Sequence, residues 1–449
     1  MGNKGPMRRI LHVGAIVASS ALAAIPMLGM ASPQGRPAST VRRPAVSAAR
    51  TSAACPGGVV TITEEDYYGV PSKTDTAGTG ITQFLKNYEK THSCVRIKRE
   101  HPVVTSDAQY LTHVLSQFST GSQPDLLMLD NPQLDEFAAD KLLVPLTSLG
   151  KLGVVKQMNY ANVVETKYKR KLYALSAYMN GMAIFYNKTL LKKAGITTLP
   201  KTWAQFSADA KKFAHGPDYG FVFSAAPGPG AATWQLDPWT WTNGGTNQDP
   251  SGKPFVQALS YLTSFVKDGA APKSVVNWMQ ATQVIQEFEA GKAAFCEDGL
   301  WEIPSMLTNY PKLKWGVIPF PTPKAGQTVI SPLGGEVWAI PKTNTRAEKA
   351  AFSILKAMAQ NPVSLAKAIG DVPSETRYWT TPPWNTSVYR VFFNELKTAR
   401  ARTHGFKNPA NEAQVDIDIS NGIAAALVGK QSPAAAMKAV QAQINPLLK

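Results

Sequence analysis

Cysteine is scarce in this chain: there are three, Cys55, Cys94 and Cys296, with no CxxC pair and no Cys/His cluster. That spacing gives no grounds for a structural zinc site. The six histidines, His12, His92, His101, His113, His215 and His404, are scattered. No GxSxG elbow, P-loop, HExxH or dinucleotide fingerprint occurs, which removes the sequence grounds for nucleophilic, metal and nucleotide chemistry. The expectation is therefore no catalytic residues, no metal and no cofactor.

Acid is also sparse. Against 47 Lys and Arg stand 31 Asp and Glu, a formal net charge of +16. Seven of these charges fall in residues 1–54 with no acid beside them, which leaves a net +9 for the rest. Pairs such as Lys192-Lys193 and Lys211-Lys212 are spread as on solvated helix faces, not along the basic stripe that marks a nucleic-acid binder. No nucleic-acid partner is expected.

Long apolar runs are absent save one. Arg8 and Arg9 precede an uncharged stretch, Ile10 to Ala31, that ends in Gly29-Met30-Ala31. A basic start, an apolar middle and a small-residue site describe a secretory signal over residues 1–31. An uncleaved anchor is the alternative, since the run can span a bilayer; Gly14, Ser19, Ser20, Pro26 and Gly29 weaken it. Residues 32–54, rich in Pro, Ala, Ser, Thr and Arg, read as a flexible tether. The expected location is extracytoplasmic, in a periplasm or on the outer face of the cell membrane.

What is present in quantity is aromatic and α/β. Val59–Ile62, Cys94–Ile97 and Asp125–Asp130 read as strands, with helices between them marked by Ile81, Phe84, Leu85 and Tyr88 and by Tyr110, Leu111, Val114, Leu115 and Phe118. This βαβαβ order implies a parallel sheet with helices on its faces. The alternation resumes with strands at Ala183–Tyr186 and Tyr219–Phe223. A helix capped by Thr202 carries Trp203, Phe206, Ala210 and Phe213; another carries Phe255, Leu259, Leu262 and Val266. Ser432 with Pro433 starts a final helix. Between these, residues 226–254 read as a long Pro/Gly/Trp-rich loop. Two α/β units without a linker suggest interleaved lobes.

Carboxylates and amides set among aromatics are the remaining chemistry. They include Tyr67-Tyr68, Asp130-Asn131, Tyr178 and Asn180, Trp239, Trp241 and Asn243, Trp278, Asp298 with Trp301, and Glu336 with Trp338. Aromatic faces suit the C–H face of a sugar, and carboxylates accept hydroxyl hydrogen bonds strengthened by charge. Asp130 ends a strand, where open α/β sheets place their ligand crevice. Glu65 and Asp66 are read as solvated acids, and Trp203 and Trp315 as core.

The text also resembles a family, the extracellular sugar-binding proteins of ABC importers in the maltose-binding class. The resemblance rests on Asp130-Asn131-Pro132-Gln133 with Glu136-Phe137-Ala138, Lys171-Leu172-Tyr173-Ala174-Leu175 and Asn180-Gly181-Met182 up to Tyr186-Asn187-Lys188. It continues through Pro200-Lys201-Thr202-Trp203, Ala290-Gly291-Lys292-Ala293-Ala294, Trp315-Gly316-Val317 and Pro332-Leu333-Gly334-Gly335-Glu336, over roughly residues 57–449.

The resemblance implies two interleaved α/β lobes with a ligand cleft between them, periplasmic binding protein-like and of type II. Lobe 1 takes residues 55–177 and 332–370, and lobe 2 takes 180–330 and 374–449. It adds Arg377 to the expected ligand contacts and implies, as partners, a sugar (a di- or oligosaccharide) and an ABC permease with its ATPase, around a monomeric binder. A secreted glycoside hydrolase and a same-fold receptor for a non-sugar solute remain alternatives. Cys55 and Cys94 precede or open neighbouring strands, so a disulfide between them is expected, with Cys296 a buried thiol.

Overall fold

The computed structural model describes residues 55–69, 76–104, 107–154, 158–228 and 232–449. The signal and tether assigned to residues 1–31 and 32–54 lie outside the described residues. Among the described residues, no helix is long and apolar enough to cross a membrane.

The first sheet grows from β1 (Val60–Glu65), β2 (Val95–Glu100) and β3 (Leu126–Asp130), all parallel, with Val60 beside Val95 and Glu65 beside both Glu100 and Leu127. Two helices make the crossovers, α1 (Thr76–Thr91) and α2 (Asp107–Thr120). Their apolar stripes explain the two-sided burial of β3. Leu126 and Met128 face the cluster containing Ile81, Leu85 and Tyr88, whereas Leu127 and Leu129 face Tyr110, Val114 and Phe118. Alternation along a strand sends successive side chains to opposite faces, so a strand covered on both reads as one apolar run. The strand β4 (Ala174–Leu175) completes this sheet together with a late arrival from the chain, Glu336–Ala339.

Between them the chain builds a second sheet. After β5 (Tyr178–Met179) come β6 (Met182–Asn187), β7 (Tyr219–Val222), β8 (Ala293–Gly299) and β9 (Trp315–Ile318), in the spatial order β9-β6-β8-β7. The chain then returns as β10 (Glu336–Ala339), antiparallel to both β3 and β4. A short β11 (Val372–Pro373) pairs antiparallel with β5. Three crossing segments thus meet, because Asn180 also bridges Gly334. This is the interleaved two-lobe, type II arrangement.

The long-loop expectation for residues 226–254 is overturned: it contains a helix, α3 (Ala232–Thr242), all of whose side chains are buried. A helix wrapped on every side shows no amphipathic stripe, so periodicity could not reveal it. Pro238 lies inside it and has no N–H to offer the carbonyl of Trp234. After it, α4 (Lys253–Lys267) buries Phe255, Leu259, Leu262 and Val266. The chain closes with α5 (Glu412–Leu427) and α6 (Pro433–Ile444), where the Ser432 side chain accepts from the amide of Ala435 at 3.2 Å. Thr202 and Gln205 form a reciprocal capping box at the start of helix Trp203–Ala210.

Cys55 and Cys94 are joined by a disulfide, their Cα atoms 5.3 Å apart at the starts of the paired strands β1 and β2. Cys296 is a buried free thiol in β8.

Candidate functional site

The carboxyl ends of β1 and β3, with the start of β10, place one polar cluster. Register pairs Glu336 with Asp130, so a strand start and a strand end present carboxylates side by side. Tyr67 and Tyr68 follow β1. The Tyr67 hydroxyl donates to Glu336 Oε1, and Tyr68 Oη lies 3.0 Å from Glu336 Oε2 and 3.2 Å from Tyr178 Oη. Trp338 Nε1 donates to Tyr178 Oη at 3.1 Å. Each phenol owns one proton, so with Tyr68 donating to Glu336 the Tyr178 hydroxyl has two acceptors in reach, Tyr68 Oη and, at 3.8 Å, Met128 Sδ. The result is a hydrogen-bonded chain from Trp338 to the carboxylate. Burial pushes the Glu336 carboxyl up, and the Tyr67 and Tyr68 hydroxyls oppose the shift.

A second cluster lies beside it. Asp130 and Asn131 both accept from Arg402 Nη2, while Asn131 Nδ2 donates to Glu165 Oε2. Glu165 Oε1 accepts the Arg402 backbone N–H at 3.0 Å. The Arg402 guanidinium carbon lies 5.1 Å from the centre of the Trp234 ring, within cation–π range. Burial raises the Glu165 carboxyl to about 8, against the charge of Arg402.

The crossing segments supply a third. Asn180 exchanges backbone hydrogen bonds with Gly334 at 3.0 and 3.1 Å, and its side chain donates to Asp371 Oδ2 at 3.1 Å. Gly334 has no room for a side chain: a Cβ there would lie 2.1 Å from Asn180 Oδ1 and 2.4 Å from the Trp234 ring. Burial first, then the charge of Glu336, raises the Asp371 carboxyl. Trp234 therefore touches both the Arg402 cluster and the crossing strands, and the Glu336–Asp371 coupling ties the first cluster to the third.

Of the residues singled out in the sequence, Tyr67, Tyr68, Asp130, Asn131, Tyr178, Asn180, Glu336 and Trp338 come together here. Others do not. The Trp239 ring is fully buried among Trp203, Phe206, Phe221, Tyr261 and Phe320, with Nε1 donating to Glu297 at 2.9 Å. It offers no stacking face, because residues two apart on a helix point some 200° apart and α3 turns Trp239 into the lobe core. Trp338 is equally enclosed and reaches the site only through its N–H. Trp241 donates to Asn247 at 3.3 Å and lines a shallow pocket with Gln248, Arg400 and His404. Asn243 is held by the carbonyl of Pro254 at 2.8 Å.

The remaining members sit at the margins. Alternation on β8 turns Glu297 toward Trp239 and Asp298 to the opposite face, where Asp298 is fully buried with Oδ1 on its neighbour Gly299 N at 2.8 Å. Half-buried Trp301 lies across Gly299, and its backbone abuts Gly370 beside Asp371, which leaves it the best placed of the outlying tryptophans. Trp278 packs edge-on to Tyr219 at 5.9 Å. Arg377 is largely exposed, paired with Glu375 at 2.8 Å and stacked over Tyr378. The reading of Glu65 and Asp66 as solvated acids is overturned. Both are fully buried; Asp66 accepts Arg99 at 2.6 and 2.7 Å, and Glu65 accepts Gln117 at 2.5 Å.

Arg402, Glu165, Trp234, Asp371 and Gly334 contribute here although none was among the expected ligand contacts. Three of them had a signal: Asp371 stands where the chain passes between the two expected lobes, Gly334 lies in the motif Pro332-Leu333-Gly334-Gly335-Glu336, and Trp234 opens the aromatic run that continues to Trp241; Arg402 and Glu165 had none.

Comparisons with known proteins agree with this architecture. The family model of the bacterial extracellular solute-binding proteins matches residues 72–363. The multiple sugar-binding protein of Streptococcus mutans is 23% identical over 286 residues, 59% of this chain and 63% of that protein. A maltooligosaccharide ABC transporter solute-binding lipoprotein of Streptococcus pneumoniae is 25% identical over 282 residues, 56% of this chain and 63% of that one. The matched part thus spans less than two thirds of either relative. Among solved structures, maltose-bound MalE3 of T. maritima superposes with a TM-score of 0.75 at 22% identity, covering 86% of this chain and all of that one. The cyclic alpha-maltosyl-1,6-maltose binding protein of Arthrobacter globiformis gives 0.69 at 21%, covering 87% and 100%.

Proposed function

The chain belongs to the bacterial extracellular solute-binding proteins, and on that footing we propose that it captures a di- or oligosaccharide outside the cytoplasm for an ABC importer. The observation that carries the reading is the hydrogen-bonded chain Trp338–Tyr178–Tyr68–Glu336 with Tyr67. It leaves a carboxylate and phenols, groups that bond sugar hydroxyls, beside the strands where the two lobes join. The names of the sugar-binding relatives support the solute class.

Residues 55–177 with 332–370 form the first lobe in this reading, and 180–330 with 374–449 the second. Asp130, Asn131, Tyr67, Tyr68 and Glu336 offer the first lobe's contacts, and Trp301 a wall on the second. A ligand touching both lobes favours closure by its higher affinity for the closed state; one held by a single lobe shifts nothing. The closed monomer then docks on a permease served by an ATPase. It turns nothing over.

A thermal-shift screen over mono-, di- and oligosaccharides tests the binding, since a ligand raises stability by RT ln(1 + [L]/Kd). Product analysis with the best hit tests the rest. Steady release of reducing sugar moves the assignment to a glycoside hydrolase, and a screen without a stabilising sugar moves it to a non-sugar solute.

A further inference from the structure

The segment Lys167–Tyr168 pairs antiparallel with Lys171–Leu172, leaving Lys169 and Arg170 as a two-residue turn. Both turn residues have positive φ, 45° and 66°. Such turns ordinarily hold Asn-Gly or Asp-Gly, because a Cβ in the left-handed region crowds the following carbonyl. Among the described residues, no other two consecutive non-glycine residues share this conformation. Lys and Arg at that tip oppose the local preference, and an outlier of this kind points to function.

Charge supplies the second observation. Lys167, Lys169, Arg170 and Lys171 put four cations in five residues; the last three are exposed, and none of the four makes an ion pair among the described residues. At the hairpin itself Lys169 Nζ lies 5.1 Å from the centre of the Tyr168 ring, and an aromatic ring set among cations is the combination found where proteins meet lipid headgroups.

Topology supplies the third. β4, which follows the hairpin, is antiparallel to β10, itself antiparallel to β3, so β4 runs parallel to β1. The hairpin therefore precedes its strand at the sheet end where Cys55 leads into β1, opposite the ligand cluster. Residues 1–54, with seven cations, no acid and the one long apolar run, join the lobe at that end.

We propose that the Lys167–Lys171 hairpin, with Tyr168, is a docking surface for an anionic lipid bilayer. It holds the first lobe against the membrane with the cleft facing away. The idea rests on the export reading of residues 1–31 and not on which solute is bound, so its test is independent of the sugar screen.

The test is vesicle co-sedimentation of the full chain at 0.1 M salt, comparing vesicles containing phosphatidylglycerol with pure phosphatidylcholine. The ratio cancels binding by the N-terminal apolar run. Each cation near an anionic surface contributes about a factor of five, so the double substitution K169N/R170G should cut the preference for anionic vesicles about thirty-fold. The same change relieves the turn and should leave melting as high as the parent's or higher, which separates lost docking from lost folding. The charge-matched K192N/K193N, on an exposed helix end of the second lobe, should keep the preference. An unchanged preference in K169N/R170G, or an equal loss in K192N/K193N, overturns the proposal; the first outcome turns attention to an acidic protein partner.

Discussion

Arg402 lies with one face of its guanidinium over Trp234, 5.1 Å from the ring centre, while its Nη2 donates to Asp130 at the end of β3. One side chain thus fastens a helix built around the second sheet to the carboxyl edge of the first. Arg402 is buried and the Asp130 side chain is 23% exposed, so water screens their ion pair only in part. Removing one partner of a fully buried pair costs about 3–5 kcal/mol, and the partial exposure of Asp130 puts this pair at or below about 3 kcal/mol. Arg402→Met should therefore lower stability by that order in denaturant melts. Combining it with Asp130→Asn should cost less than the two single losses added, because the orphaned charge goes too. Strict additivity would deny the coupling.

Gly334 is the tightest point of the crossings. Its Cβ position is filled by Asn180 and Trp234, so Gly334→Ala must push α3 off the crossing strand. Overpacking of this kind costs about 1–3 kcal/mol. Affinity for the screening sugar should fall as well, and small-angle scattering should show less compaction on adding it. Parent-like compaction would place the hinge strain elsewhere.

The tryptophans divide by burial. Trp239 and Trp338 are wholly enclosed, whereas Trp301 is half-buried. Alanine at either of the first two should cost about 3–5 kcal/mol of stability. Trp301→Ala should melt closer to the parent and weaken sugar binding more. Melting and titration of the three variants check this; a Trp301→Ala protein that binds as the parent does removes it from the site.

Stability should be greatest at mildly acid pH. Burial raises Glu165, Glu302 and Glu395 from the ordinary 4.5 to about 8. Below pH 4.5 each is protonated folded and unfolded. Between 4.5 and 8 the unfolded chain ionises first and sheds the proton, so stability falls with rising pH, by about 1.4 kcal/mol per unit for each such group, and levels off above 8. Glu395 is the cleanest test, since its Oε1 accepts the Phe320 N–H at 2.9 Å and a glutamine oxygen keeps that bond; the nearby carboxyl is Glu297. Glu395→Gln should melt like the parent at pH 5 and higher than the parent at pH 8. Identical pH profiles would mean Glu395 does not titrate in that window.

Strands such as Leu126–Asp130 and helices such as Lys253–Lys267 were legible because one residue pattern meets one layer. The Ser432 and Thr202 caps were legible because capping is decided within four residues. Asp130 was legible at a strand end, whereas Tyr67, Tyr68 and Glu336 were legible only as members of an aromatic and carboxylate palette. Trp239 was misplaced, since only the wrapping of α3 on all sides, with Pro238 inside it, shows the ring facing Phe221 and Tyr261. Glu65 and Asp66 were misjudged for the same reason: their partners Gln117 and Arg99 arrive from other elements.

Sequence alone thus determined the layer type, the local starts of helices, the absence of the familiar catalytic motifs and the chemical palette, because each follows from neighbours along the chain. Tertiary structure alone decided which members of that palette meet. Arg402 reaches Asp130 across 272 residues and Tyr67 reaches Glu336 across 269. Contacts at such separations are set by how sheets cross and stack, which no local pattern encodes.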